Sequence, residues 1–121
     1  GMVVTYYNGF WYASNPSSAP YVTGMTGVAL SDYHNVHDRI LLQGFVRVNN
    51  NLINGCGSYA ATSKGIAIFP DPDTNGEYTC LQGSYSSGDY ARALGFIYDS
   101  DSTTSSYLLY INPSADWIKL A

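Results

Sequence analysis

Charge is scarce in this chain. Only 12% of its residues are Asp, Glu, Lys or Arg, against roughly 25% in globular chains generally. The cations are Arg39, Arg47, Lys64, Arg92 and Lys119, and the net charge is −4. So few and scattered cations cannot neutralise a run of phosphates, which argues against nucleic acid as a partner. No apolar run approaches the roughly 20 residues of a membrane helix, and no charged-then-apolar N-terminus resembles a secretion signal. The expectation is a protein without membrane insertion that is not exported by that route. Gly1 ahead of Met2 reads as a scar of tag cleavage, with Met2 the native start and residues 1–121 one small β domain. Strong helix formers are also thin, so no helical periodicity of useful length develops.

Cysteine occurs only at positions 56 and 80. Oxidised, the pair would close a loop whose chain entropy predicts about 3 to 4 kcal/mol of stabilisation. With no export signal the compartment of synthesis is reducing, so two buried, unpaired thiols are the expectation. Catalytic signatures are missing as well: there is no Gly-x-Ser-x-Gly, no phosphate loop and no local Cys–His signature. Glu77 and Asp116 are the carboxylates considered as a glycosidase-type pair, a chemistry that needs two at a suitable separation. The expectation is a protein that is not an enzyme and that needs no cofactor.

What the chain does have is 12 Tyr and 12 Gly, with many Ser, Thr and Asn, which is the chemistry of strands and turns. Tyr6 to Ala13, interrupted by Asn8-Gly9, predicts a hairpin with an Asn-Gly turn. The cluster Ser14 to Pro20 predicts a loop. The clearest strand runs from Arg39 to Val48, where Ile40, Leu42, Val46 and Val48 share one face and Gln43 and Arg47 the other; Gly44 marks a bulge or a close backbone approach. Further strands are predicted at Leu52-Ile53, Ser58–Thr62, Gly65–Phe69, Glu77–Gln82, Tyr90–Tyr98, Tyr107–Ile111 and Trp117–Leu120, with a polar turn over Asp99–Ser106. Many short strands at intervals of about 8 to 12 residues predict an all-β fold, a small antiparallel barrel or sandwich. The expected core contains Leu42, Val46, Val48, Ile66, Ile68, Leu94, Phe96, Leu109, Ile111 and Ile118. An internal pseudo-repeat is legible too: Ser17 to Tyr21 before Gly27 to Leu30 parallels Ser86 to Tyr90 before Gly95 to Tyr98, each followed by a polar connection and an apolar strand.

Three groups of residues are candidate sites. Asp71, Asp73 and Asn75, followed by Gly76, match the opening of a calcium loop, but Gln82 stands where a bidentate Glu would close it, and an ordinary turn uses the same residues. His34 and His37, between Asp32 and Asp38, put metal-capable side chains into one loop, with no second ligand pair at a defining spacing. Tyr6, Tyr7, Phe10, Trp11 and Tyr12 form a dense aromatic run; on a strand some of them must face away from the core, where flat rings with polar handles suit sugars and protein interfaces alike. A small domain with few surface charges has little protection against pairing, so self-association through a strand edge or this aromatic face is expected.

The order of segments resembles that of β-domains in tailed-bacteriophage virion proteins, of the tail-fibre or head-decoration type. The resemblance is carried by Gly9-Phe10-Trp11-Tyr12-Ala13, Gly27-Val28-Ala29-Leu30, the run from Asp38 to Val48, Gly55 to Tyr59, Gly76-Glu77-Tyr78-Thr79, Arg92 to Tyr98 and Asn112 to Ile118. The loop Tyr33 to His37 and the two cysteines depart from the pattern. The resemblance implies a virion structural or attachment role, assembly in the host cytoplasm, self-association as a trimer rather than a dimer, and other virion proteins or surface glycans as partners. The competing expectation is a secreted carbohydrate-binding or adhesion module, supported by the aromatic run and the cysteine pair.

Overall fold

The computed structural model describes residues 1–30, 39–56, 64–80 and 85–121. It is all-β and sandwich-like, with two short 3-10 turns at Ala19–Tyr21 and Asn50–Leu52. Strands β1 (Val3–Tyr7), β2 (Phe10–Ala13), β3 (Thr26–Ala29) and β4 (Ile40–Leu41) form a sheet in the order β2-β1-β3-β4. A larger sheet holds β5 (Gly44–Asn49), β6 (Ile53–Asn54), β7 (Ala67–Pro70), β8 (Tyr78–Thr79), β10 (Gly95–Asp101) and β11 (Ser106–Ile111), in the order β5-β11-β10-β7-β8-β6. Strands β9 (Tyr90–Ala91) and β12 (Ile118–Lys119) pair as a separate ribbon. Every pairing among these strands is antiparallel except β6 with β8.

The core joins both larger sheets: Val3 and Val28 from the first meet Val48, Ile68, Leu94, Ile97, Leu109 and Ile111 around the second. Of the expected core, Val48, Ile68, Leu94, Leu109 and Ile111 are buried, and Val46 and Ile66 partly so. Leu42, Phe96 and Ile118 are corrections, because all three are exposed. The predicted strand Arg39–Val48 is in fact two strands. Ile40 and Leu41 pair with β3 in the first sheet, whereas Gly44 onward pairs with β11 in the second. The chain changes sheets at Leu42-Gln43, so alternation does not carry across the break and Leu42 falls outside the core. Ile118 is 67% exposed because, among the described residues, its ladder is the two-residue pairing with β9.

Tyr90–Tyr98 divides in the same way, into β9 and β10. Strand β10 runs on to Asp101, into the segment expected to turn, with a register shift between Ile97 and Asp99. Phe96 sits directly opposite Tyr110, which sits opposite Phe45, while Ile97 pairs with Leu109 on the inner face. The predicted strand Ser58–Thr62 lies outside the described residues. Both halves of the pseudo-repeat set a Gly-apolar strand antiparallel to the apolar strand after it, β3 with β4 and β10 with β11, but in different sheets.

Gly95 opens β10 at φ +150, and a Cβ there would press on the carbonyl oxygen of Tyr110 in the neighbouring strand. Gly95→Ala must therefore strain its backbone or push β11 away. It is expected to lower stability by about 3 kcal/mol, within the range for single changes with a named steric cause. Denaturant unfolding that shows a loss under about 1 kcal/mol would mean the two strands part easily at this point.

Cys56 and Cys80 form a disulfide, with Cα atoms 5.1 Å apart. This corrects the expectation of free thiols. Strands β6 and β8 run parallel, with Asn54 opposite Thr79, and the Cys80 N–H donates to the Asn54 carbonyl at 3.1 Å. The two cysteines thus leave the ladder side by side, and the compartment argument carries no information about that geometry.

Candidate functional site: an aromatic hairpin and the cleft at its base

Asn8 and Gly9 both have positive φ, 51° and 90°. They form the two-residue turn that matches the twist of an antiparallel pair. The resulting register sets Tyr6 against Trp11 and Tyr7 against Phe10. At its base the hairpin is built into the protein: Val3, Val4 and Thr5 are buried. Thr5 Oγ1 shares hydrogen bonds with Ser14 Oγ at 2.7 Å and Thr26 Oγ1 at 2.9 Å. Its tip projects. Tyr6, Tyr7 and Phe10 are exposed, Phe10 to 58%, while Trp11 and Tyr12 are half-buried.

The two faces of the hairpin differ. On one, Tyr6 and Trp11 meet edge to face with centroids 5.1 Å apart. On the other, Tyr7 and Tyr12 both pack on Tyr21, at 5.6 and 4.9 Å. Such contacts hold rings in defined orientations and contribute roughly 0.5–1.5 kcal/mol each beyond area burial. Tyr21 is fixed by its backbone, donating to the Ser18 carbonyl at 3.0 Å and accepting from the Asn15 N–H at 2.9 Å.

Beside Tyr12 and Tyr21 lies an open cleft of about 320 Å³, lined also by Ala13, Asn15 and Asn75. Asn75 reaches it from far along the chain. The Val3 N–H donates to the Gly76 carbonyl at 2.8 Å and the Gly76 N–H to the Ser14 carbonyl at 3.1 Å, which fastens the 71–76 turn to the hairpin base. Asn15 Oδ1 accepts from both the Ser17 N–H and the Ser17 hydroxyl, which fixes the orientation of this amide at the cleft. The aromatic run was legible in the sequence, but its joining with Tyr21 through ring contacts and with Asn75 through the backbone bonds of Gly76 was not, and Asn75 stood out there only as a calcium candidate.

The calcium candidates resolve differently. Asp71 is buried and its carboxylate serves the turn: Oδ1 accepts from the Asp73 N–H at 2.7 Å and the Thr74 N–H at 3.4 Å, and Oδ2 from Asn54 Nδ2. Asp73 and Asn75 are exposed. His34 and His37 lie outside the described residues. Among the described residues no group of three His, Cys, Asp or Glu is placed to hold a metal ion.

Glu77 is beside Asp71 rather than Asp116, because Asn54 Nδ2 donates to both Glu77 Oε1, at 3.0 Å, and Asp71. Asp116 is exposed on the segment before β12, its N–H donating to Ser114 Oγ at 3.1 Å. Tyr85 donates to the Pro70 carbonyl, and burial, with Asp71 and Asp89 nearby, pushes its phenol well above the ordinary tyrosine range.

A second exposed aromatic group occupies the outer face of the larger sheet, where Phe45 meets Tyr98 and Tyr110, both at 5.1 Å. Among the described residues no helix is long and apolar enough to cross a membrane. Comparison with protein-family models, with curated proteins and with solved structures finds no match to this chain.

Proposed function

We propose that this protein is a non-catalytic structural or attachment component of a virion surface, of phage type, that self-associates through the tip of the β1–β2 hairpin. The observation that carries the reading is the projecting tip, with Tyr6, Tyr7 and Phe10 exposed on either side of the two-residue Asn8-Gly9 turn. Tyr and Trp are the residues that most often anchor interfaces. Identical surfaces favour closed symmetric assemblies, and the phage resemblance favours three copies over two. Such a component assembles in the host cytoplasm and is then carried on the virion.

Light scattering over a range of concentrations tests the assembly. The expected result is a mass that rises toward three copies, and Trp11→Ser is expected to weaken association by about 30-fold, the loss of one interface anchor. The fold should lose no more than about 1 kcal/mol, because Trp11 is half-buried and its ring partner is the exposed Tyr6. A monomer insensitive to concentration removes the assembly.

The second reading, a secreted carbohydrate-binding or adhesion module, is favoured by the Cys56–Cys80 disulfide, since such bonds persist in oxidising compartments. Neighbouring genes separate the two: tail, capsid or terminase genes support the virion, and polysaccharide-degrading genes support the secreted module.

A further inference from the structure

We infer that the cleft beside Tyr12 and Tyr21 binds a neutral sugar ring of a surface glycan; this rests on the attachment reading and names what that surface would recognise. Among the described residues the lining is Tyr12, Ala13, Asn15, Tyr21 and Asn75, with no charged side chain. A phosphate, carboxylate or ammonium group would be desolvated there without a counter-ion. A purely apolar ligand fits no better, since it would cover the Asn15 and Asn75 amides and offer them no partner. A pyranose ring matches both halves of the lining, because its C–H face suits an aromatic ring and its rim of hydroxyls suits amides.

The volume of about 320 Å³ lies at the lower end of the roughly 300–1,000 Å³ typical of small-ligand sites. That suits one or two rings of a longer glycan rather than a buried cofactor. The site is also built before any ligand arrives. Tyr21 is held between Tyr7 and Tyr12, Asn15 is oriented by Ser17, and the Asn75 turn is fastened through Gly76. Little ordering entropy is then left for the binding step. A cleft this open binds weakly, with a dissociation constant of about 1 mM for a single copy. Presentation of several copies on one assembly would raise the effective affinity by about a hundredfold or more.

The Tyr6–Trp11 face of the hairpin is distinct from the face on which Tyr7 and Tyr12 pack against Tyr21. The cleft sits at the base of the hairpin, against Tyr12, Ala13 and Asn15, and its lining includes none of Tyr6, Tyr7 and Phe10, so assembly through the tip leaves it open.

The test is titration of the isotope-labelled full chain with maltotriose, cellotriose, mannotriose, xylotriose and chitotriose, following amide shifts, with trigalacturonate as the charged control. At least one neutral trisaccharide should move the amides of Tyr12, Asn15, Tyr21 and Asn75 at millimolar concentration, and trigalacturonate should not. Tyr21→Ala should weaken that binding by at least about 10-fold, the loss of one ring contact. Asn75→Ala changes an exposed side chain and so keeps the fold intact; it should weaken binding about 5-fold. The inference is overturned if none of the five sugars moves these amides, if the shifts fall on Phe45, Phe96 and Tyr98 instead, if trigalacturonate binds equally, or if Asn75→Ala binds as the parent does. Light scattering on the same samples keeps the two readings apart. An assembling protein that ignores every sugar loses the cleft and retains the assembly, and a strict monomer that shows the shifts retains the cleft and loses the assembly.

Discussion

Arg92→Met is expected to destabilise the protein by about 3–5 kcal/mol. Arg92 is buried in the link between β9 and β10, and no carboxylate partners it among the described residues. Its Nε donates to the Ser114 carbonyl at 2.7 Å. Its Nη1 faces the Val22 carbonyl at 3.0 Å, Thr26 Oγ1 at 2.9 Å and the Gly24 carbonyl. One guanidinium therefore joins the loop before β3 to the segment before β12, and Thr26 passes the contact on to Thr5 and Ser14. The absent counter-ion is replaced by carbonyl dipoles, and burial lowers the guanidinium pKa from its ordinary value.

Two effects oppose each other when Arg92 is replaced. Removing the cation recovers several kcal/mol of desolvation. It also removes the guanidinium donors from the Val22 and Ser114 carbonyls, at about 1–3 kcal/mol for each buried group left unpaired, while the Gly24 carbonyl keeps the Thr26 hydroxyl and Thr26 keeps Thr5. Methionine fills much of the volume and offers no donor, so the second effect dominates. Arg92→Ala should cost less than Arg92→Met, because water can enter the space and donate in place of the guanidinium. Denaturant titration of both variants provides the check. If Arg92→Met costs under about 1 kcal/mol, or Arg92→Ala proves the worse of the two, the carbonyl network is not what stabilises this junction.

The second large effect concerns the disulfide. Replacing both Cys56 and Cys80 by alanine is expected to cost about 3–4 kcal/mol through the entropy of the opened 24-residue separation. That corresponds to about 10–15 °C in melting temperature for a chain of this size. The loss should be local first. Among the described residues β6 is the edge of its sheet and is held to β8 by a ladder of two residues, so amide exchange at Ile53, Asn54 and Thr79 should accelerate before exchange at Ile97 or Leu109. A double variant within about 1 kcal/mol of the parent, or uniform acceleration of exchange, would show that β6 is held by packing alone.

Much of the architecture follows from local chemistry. Asn8-Gly9 specifies its turn because few other dipeptides accept two positive φ angles in succession. Scarce helix formers and alternating apolar residues specify strands at 44–49 and 106–111, and with them most of the core. Local pattern fails where a strand changes partners. Gly44 marks an irregularity in this run, but no local signal says that Ile40 and Leu41 pair with β3 and Gly44 to Asn49 with β11, and Leu42 is exposed as a result. Phe96 and Ile97 are equally good inward residues by composition, and only the pairing of Phe96 with Tyr110 decides which of them faces solvent.

The candidate site divides along the same line. Tyr6, Tyr7, Phe10, Trp11 and Tyr12 stand out as a run in the sequence, since five aromatics within seven residues cannot all turn inward on a strand. The cleft beside them was decided by tertiary structure alone. Asn75 arrives through backbone hydrogen bonds of Gly76 to Val3 and Ser14, and the burial of Arg92 depends on carbonyls at Val22, Gly24 and Ser114. Backbone groups are the same at every position, so these long-range pairings leave no trace in the identities of the residues that make them.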